Sequence, residues 1–133
     1  MGPTSVQKVS EPLNLGPELV CGPSTTRREL AATWQDFGMF NGHAIGGRKF
    51  RGTSPWERHP GGDELLYVTD GSVEITLLLA EVDLRLVLNP GEMLVIPHGV
   101  WHCQKAEQSV CIWGVTATGD DEISFLADPR KVP

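Results

Sequence analysis

Apolar and polar residues alternate with a period of two over residues 73–79 and again over residues 82–88. This period is typical of a strand that buries one face and exposes the other. Shorter apolar runs follow the two alternating segments, and we expect strands in them as well, at 93–96, 110–115 and 123–126. Because helical periodicity is weak along the chain, the pattern predicts an all-β domain.

Glycine and proline separate these segments, and two of the turns have a sequence that specifies their geometry. The Asp70–Gly71 pair predicts a two-residue hairpin of type I′, in which both central residues take a positive φ. In the Asn89–Glu92 turn, proline and glycine occupy the two central positions, as a type II turn prefers. Many short strands joined by tight turns indicate a sandwich or a barrel.

The N-terminal region has a different composition. Four prolines within residues 1–30 predict an extended arm, because proline lacks a backbone donor and restricts the residue before it. Such an arm packs along a sheet edge or reaches a neighbouring subunit. A short helical turn is predicted over residues 26–33. The remaining residues, 31–133, are predicted to form a single domain, which suits a total length of 133 residues.

Composition excludes several classes of partner. The formal net charge of −6 argues against nucleic acid, whose binding depends on clustered lysine and arginine. No apolar run is long enough to cross a bilayer, so no membrane partner is expected. Three cysteines without a CxxC spacing and no secretory signal favour a reducing, cytoplasmic location. A disulfide between Cys103 and Cys111 is left open.

A cluster of potential metal ligands lies in the segment 57–64. Glu57 and His59 have the same parity, so on a strand both side chains point to one face. A Pro-Gly-Gly sequence then interrupts the strand, and Glu64 begins the next one on its interior side. Asp63 has the opposite parity and is expected to face solvent. Three donors can therefore converge on one point inside the domain.

The segment 91–102 ends at His102, which supplies a second imidazole to close the coordination shell. Two imidazoles and one or two carboxylates suit a divalent first-row metal, such as iron, manganese, nickel or zinc. Glu57 has two open roles, a fourth metal ligand or a catalytic general base. His43 either lines the interior or packs on a strand. Candidates for the pocket wall, by parity, are Leu66, Val68, Met93 and Val95.

These two segments resemble the two motifs of a small single-domain cupin. In the first motif, G-x5-H-x-H-x3–4-E-x6-G, Glu57 stands where the first histidine is expected, and the matching residues are His59, Glu64 and Gly71. In the second, G-x5-P-x-G-x2-H-x3-N, Ala106 replaces the final asparagine, and the matching residues are Gly91, Pro97, Gly99 and His102. The resemblance implies a double-stranded β-helix, or jelly-roll, barrel with a metal at its mouth, and a homodimer.

The function expected from these residues is divalent-metal binding by Glu57, His59, Glu64 and His102, beside a small-molecule ligand at the barrel mouth. Oxygenase, isomerase and lyase chemistry are all compatible with such a centre. Two alternatives stay open, a non-catalytic sensor of small ligands or metal and a structural barrel without metal. Whether the protein is an enzyme is therefore undecided by the sequence.

Overall fold

The computed structural model describes residue 8, residues 15–119 and residues 121–131, so residues 1–7 and 9–14 of the predicted arm lie outside the described residues. The described part contains ten strands and one short helix, which confirms the all-β fold. In chain order the elements are β1 Leu19–Cys21, α1 Arg27–Thr33, β2 Gln35–Phe40, β3 His43–Thr53, β4 Trp56–Arg58, β5 Glu64–Asp70, β6 Val73–Leu78, β7 Asp83–Leu88, β8 Met93–Ile96, β9 His102–Thr116 and β10 Glu122–Ser124.

The long strand β9 organises the sheet. Its C-terminal half lies between β3 and β5, and its first residues pair with β6 and β4, all in antiparallel register. Because one strand has different neighbours along its length, the sheet curls around it and closes into the predicted jelly-roll barrel. The strand predicted at 110–115 is only the second half of β9, whereas those predicted at 73–79, 82–88 and 93–96 correspond to β6, β7 and β8.

Alternation along the strands fills the barrel with aliphatic side chains. Every second residue of β5 and β6 is buried, as a strand with one interior face requires. On β8, however, the buried residue is Ile96, whereas Met93 and Val95 are 60% and 55% exposed. The expected place of Met93 in the pocket wall is therefore wrong, because the opposite parity of β8 faces the interior, and Val95 lines a second, more open depression rather than the main cavity.

Ile75 lies at the centre of this core and is fully buried. We expect Ile75→Ala to lower the free energy of unfolding by about 2–5 kcal/mol, because the deleted methyl groups leave a cavity. Urea denaturation followed by circular dichroism measures the change. Val87→Ala is the matched control, since Val87 is 53% exposed on the neighbouring strand and should change stability by less than about 0.5 kcal/mol. Equal losses in the two variants would contradict this account of the core.

The connection between β5 and β6 differs from the predicted hairpin. These strands do not pair with each other, because β5 pairs with β8 and β9 and β6 pairs with β7 and β9. Gly71 has a φ of 78°, but Asp70 is not among the residues with positive φ, so a type I′ turn is wrong. A Cβ at Gly71 would lie 2.4 Å from the carbonyl oxygen of Ser109, so glycine is required where the chain crosses β9. The predicted turn at Asn89–Glu92 is confirmed, with Gly91 at a φ of 86° and a hydrogen bond from Glu92 N to Asn89 O.

The predicted helical turn is confirmed as α1. Thr26 caps its N-terminus by accepting from the backbone N–H of Glu29, and the Glu29 side chain accepts from the backbone N–H of Thr26 in return. The helix brings Leu30 into the core, while β1 pairs in parallel with β3. The division at residue 30 into arm and barrel stays a prediction, and α1 spans that position.

Two further observations limit the chemistry that the fold can support. All three cysteines are free thiols, so the Cys103–Cys111 disulfide that the sequence left open does not form. Within the described part of the chain, no helix has the length and apolar character needed to cross a membrane.

Candidate metal centre

The β-ladders bring Glu57 and His102 to the same end of the barrel. These two residues face each other as partners between β4 and the start of β9. On its other side, β4 pairs with β10, where Ile123 is the partner of Glu57. His59 follows the last residue of β4, and Glu64 is the first residue of β5. The site is therefore assembled from strand ends, as parity predicted.

Donor atoms of Glu57, His59 and His102 all lie within 4.8 Å of one another, which is close enough for one metal ion. Both imidazoles are deeply buried, with His59 5% and His102 2% exposed. Glu64 contacts both rings, with one carboxylate oxygen 3.2 Å from His59 Nε2 and the other 3.2 Å from His102 Nε2. Glu57 lies 3.8 Å from His59 Nε2. The structure thus brings together all four predicted donors.

The Nδ1 atom of each imidazole has its own acceptor. His59 Nδ1 lies 2.8 Å from a carboxylate oxygen of Asp121, and His102 Nδ1 lies 3.0 Å from the carbonyl oxygen of Val100. An acceptor at Nδ1 places the proton there and leaves a lone pair on Nε2 in the neutral ring. In the neutral rings both Nε2 lone pairs then point toward the carboxylate of Glu64, an arrangement that protons on the rings or a bound metal ion would satisfy.

Two buried polar atoms in this cluster also favour a bound metal ion. His59 Nε2 and Glu64 Oε1 have no hydrogen-bond partner among the described residues. A buried polar atom without a partner is costly, and a metal ion satisfies such an atom by coordination. Since both atoms belong to the same cluster, the donor set fits a divalent metal.

Titration of the cluster follows from burial and from the neighbouring charges. Burial alone would lower the pKa of His59, but contacts with Glu64 and Asp121 outweigh it and raise the pKa to about 9. The pKa of His102 is also raised, since Glu64 again outweighs burial. For Glu64, burial is outweighed by the two imidazoles, which hold its pKa well below the usual range. The cluster therefore attracts positive charge.

Glu57 has a different environment from Glu64. Burial raises the pKa of Glu57, and the nearby carboxylate of Glu64 raises it further. The two histidines and Arg48 act in the opposite direction without overcoming burial. An ionised Glu57 is therefore unfavourable in the protein without a bound cation, and a metal ion would compensate its charge.

A cavity of about 350 Å³ opens beside these donors. Glu57, His59 and Glu64 line one part of it, together with Asp121. The rest of the wall is largely apolar and aromatic, formed by residues including Leu30, Trp34, Phe50, Leu66, Ile112, Trp113 and Ile123. Such a volume and lining are typical of a site for a small organic molecule.

Three other polar residues do not contribute a donor to the cluster, namely His43, Asp63 and His98. His98 and Asp63 lie at the surface, where the Asp63 carboxylate accepts from the backbone N–H of His98. His43 lines a second, more open depression beside Phe40, which shares Glu64 with the main cavity. Sequence reasoning missed Asp121 and Arg48 in the main cavity, because neither residue belongs to a recognisable spacing pattern.

Comparison with known proteins agrees with this architecture. The family model for the cupin domain, Cupin_2, matches residues 50–112. A germin-like protein 1 of Brassica napus is 34% identical over 55 residues, which are 41% of this chain and 27% of that protein. The chain thus matches only a small part of that relative's length.

Solved structures share the fold at low sequence identity. A cupin-2 domain protein from Shewanella frigidimarina has a TM-score of 0.56 at 22% identity, covering 72% of this chain and 96% of that one. A hydroquinone 1,2-dioxygenase from Sphingomonas sp. TTNP3, solved with 4-hydroxybenzoate bound, has a TM-score of 0.56 at 23% identity, covering 65% of each chain. The matched model and the shared fold together show a cupin domain over residues 50–112, within a barrel that resembles those of solved cupin proteins.

Proposed function

We propose that this cupin binds one divalent transition-metal ion through Glu57, His59, Glu64 and His102, and that it acts on or binds a small molecule in the adjoining cavity. The observation that carries the proposal is the convergence of two buried Nε2 atoms on the Glu64 carboxylate, with their Nδ1 atoms already engaged. This geometry presents lone pairs to one point, as a metal site requires.

The residues around the centre have distinct tasks in this proposal. His59 and His102 present Nε2, and Asp121 holds the orientation of His59 through Nδ1. Glu57 either completes the shell or takes a proton from the bound molecule, since it also lines the cavity. When bound, a divalent metal supplies Lewis-acid polarisation of an oxygen atom of the ligand. The apolar walls exclude water from that oxygen.

The reaction class is the finer part of the proposal. The neighbour named as a hydroquinone 1,2-dioxygenase holds a small organic ligand, which supports oxygenase chemistry as the first activity to test. Isomerase and lyase chemistry use the same features, and a non-catalytic sensor would keep the metal and the ligand without turnover. A homodimer and a cytoplasmic location also stay predictions, and sedimentation equilibrium at micromolar concentration tests the first.

Metal analysis of protein purified without chelator tests the proposed centre. We expect about one equivalent of iron, manganese, nickel or zinc, either as purified or after reconstitution, because two imidazoles with engaged Nδ1 atoms and two carboxylates form a complete site. Inductively coupled plasma mass spectrometry measures the content. Less than about a tenth of an equivalent after reconstitution with each of these metals would contradict the proposal. Turnover by the loaded protein then separates an enzyme from a binder.

Asp121→Asn tests the contact that orients His59. The amide can present its NH₂ group to Nδ1 and favour the wrong tautomer, so we expect metal affinity to fall by about 10–100-fold. Competition with a chromophoric chelator measures the affinity. Asp63→Asn is the matched control, since Asp63 also lies beside a histidine but at the surface, and it should leave the affinity unchanged. An unchanged affinity in Asp121→Asn would remove Asp121 from the centre.

A further inference from the structure

Arg48 occupies an unusual position in the wall of the main cavity. It lies on β3 opposite Ile112 of β9, with the parity of the buried Phe50, so its side chain enters the barrel. Its Nε donates to Oγ1 of Thr33, the last residue of α1, at 3.0 Å, and its Nη2 donates to the carbonyl oxygen of Leu30 in the middle of that helix. The guanidinium lies 5.4 Å from the ring centre of Trp34. These contacts fix its position.

The charge of Arg48 has no counter-ion in contact with it. Among the described residues, no carboxylate lies within 4 Å of its guanidinium, whereas Arg51, Arg58 and Arg130 each have such a partner. Two of its five N–H groups make the bonds to α1, and the others have no recorded acceptor in the described part of the chain. A partly buried guanidinium is normally paired, so an acceptor is missing from this wall.

The charged residues that line the cavity indicate the sign and magnitude of the charge that this acceptor carries. Three carboxylates line it, those of Glu57, Glu64 and Asp121, together with the guanidiniums of Arg27 and Arg48. With neutral imidazoles the lining therefore carries a charge of −1, and a divalent cation at the centre changes it to +1. One monoanion then neutralises the cavity.

Because Glu57 stands where a histidine is expected, that anion should bind to Arg48 rather than to the metal. Two carboxylates balance a divalent ion, so the metal centre itself has no excess positive charge to attract an anion. The uncompensated charge belongs to the arginines, and Arg48 is the one fixed inside the apolar part of the cavity. Its planar guanidinium matches a carboxylate in a two-bond arrangement.

Resting on the proposed metal centre, the geometry points to a small monocarboxylate with an apolar body as the ligand of this cavity, its carboxylate bound by Arg48. The aliphatic and aromatic walls cover the apolar body, formed by Leu30, Phe50, Leu66 and Ile112. The opposite end of the molecule then lies toward Glu57 and the metal donors. Arg48 is thus the residue that determines specificity for an acid over its neutral analogue.

Isothermal titration calorimetry on the metal-loaded protein tests this assignment. The probes are straight-chain carboxylates of four to eight carbons, each compared with its primary amide. We expect at least one carboxylate to bind about tenfold or more tightly than its amide, since the charge-assisted bonds to Arg48 are lost with the amide. Arg48→Gln should lose at least about tenfold of the carboxylate affinity and leave amide affinity unchanged. Equal affinity of acid and amide throughout the panel would overturn the assignment.

Arg51→Gln is the matched control. Arg51 lies on the same strand, pairs with Glu18 at the surface and does not line the cavity, so carboxylate affinity should persist. Unchanged carboxylate affinity in a folded Arg48→Gln variant would show that the acid binds elsewhere, such as directly on the metal. If Arg48→Gln does not fold, the comparison of acid with amide in the native protein still decides.

The metal content of every sample separates the two proposals. A full equivalent of metal without preference for carboxylates would overturn the role of Arg48 and leave the metal centre intact. Failure to load any metal would overturn the centre instead.

Discussion

Replacing His59 or His102 with alanine should abolish stoichiometric metal binding. Asp121 and Val100 contact Nδ1 of His59 and His102, respectively, and so orient the buried Nε2 atom of each ring toward the site. No other described side chain can take the place of either Nε2 atom. Loss of one direct ligand should weaken binding by more than about 100-fold, since even an outer partner of a ligand contributes 10–100-fold. Mass spectrometry of the reconstituted variants measures the loss. His102→Gln, closer in volume, tests the same loss with less disturbance of packing.

His98→Ala is the matched control for both variants. Its side chain is at the surface and contacts Asp63 rather than the cluster. Metal content should therefore remain at the level of the native protein. A full equivalent of metal in folded His59→Ala and His102→Ala would contradict the proposed centre, and circular dichroism verifies that the barrel is intact. Equal loss in all three would indicate that binding depends on general stability and not on the cluster.

The barrel and the cluster follow from sequence parity. Alternation at 73–79 and 82–88 identifies β6 and β7 because a strand with one interior face leaves a period of two in the sequence. The same parity brings Glu57 and His59 to one face and separates Glu64 from Asp63. His102 joins them because its ladder partner on β4 is Glu57. Parity is therefore sufficient for Glu57, His59 and Glu64, whereas the approach of His102 depends on this long-range pairing.

Other parts of the site depend on long-range register, which the sequence does not encode locally. Asp121 approaches His59 only because β10 pairs with β4 across a separation of more than sixty residues. Arg48 enters the cavity from a strand whose period is interrupted by glycines, so its inward parity is not visible in the pattern. The Asp70–Gly71 pair is a strong hairpin signal that tertiary structure overrides, since β5 and β6 each pair with β9 instead.

In the proposed metal centre, a carboxylate at position 57 instead of the histidine that the motif predicts would redistribute charge within the cavity. A centre with three imidazoles and one carboxylate would leave a divalent metal with an excess positive charge, whereas Glu57 neutralises it. The neutral metal is a weaker Lewis acid and a weaker anion site. In this protein the uncompensated positive charge belongs to the arginines of the wall. In the proposed centre, Glu57 would therefore change both what the metal can polarise and where an anion binds.

Glu57→Gln should have opposite effects on stability without and with metal. Burial raises the pKa of Glu57, so its ionised form costs stability, and this cost increases as pH rises through that pKa. Near pH 8 the metal-free Gln variant should therefore unfold at a higher temperature than the native protein. With metal the order should reverse, because the native carboxylate neutralises the ion and the amide cannot. Thermal unfolding with and without zinc measures both differences.

The variant Glu57→Gln also separates the role of Glu57 as a metal ligand from its role as a general base. Loss of metal in Glu57→Gln would identify a ligand, whereas full metal content with loss of turnover would identify a general base.

Glu57→His should retain metal, because imidazole is an equally good donor, and it leaves the centre with one more positive charge. That variant should bind carboxylates more tightly even when Arg48 is also replaced by glutamine, since the metal then attracts the anion. Glu107→Gln, at the exposed surface of β9, is the control and should change none of these quantities. Full metal, unchanged binding and unchanged turnover in Glu57→Gln would exclude both roles, and the charge argument for Arg48 would then lose its basis.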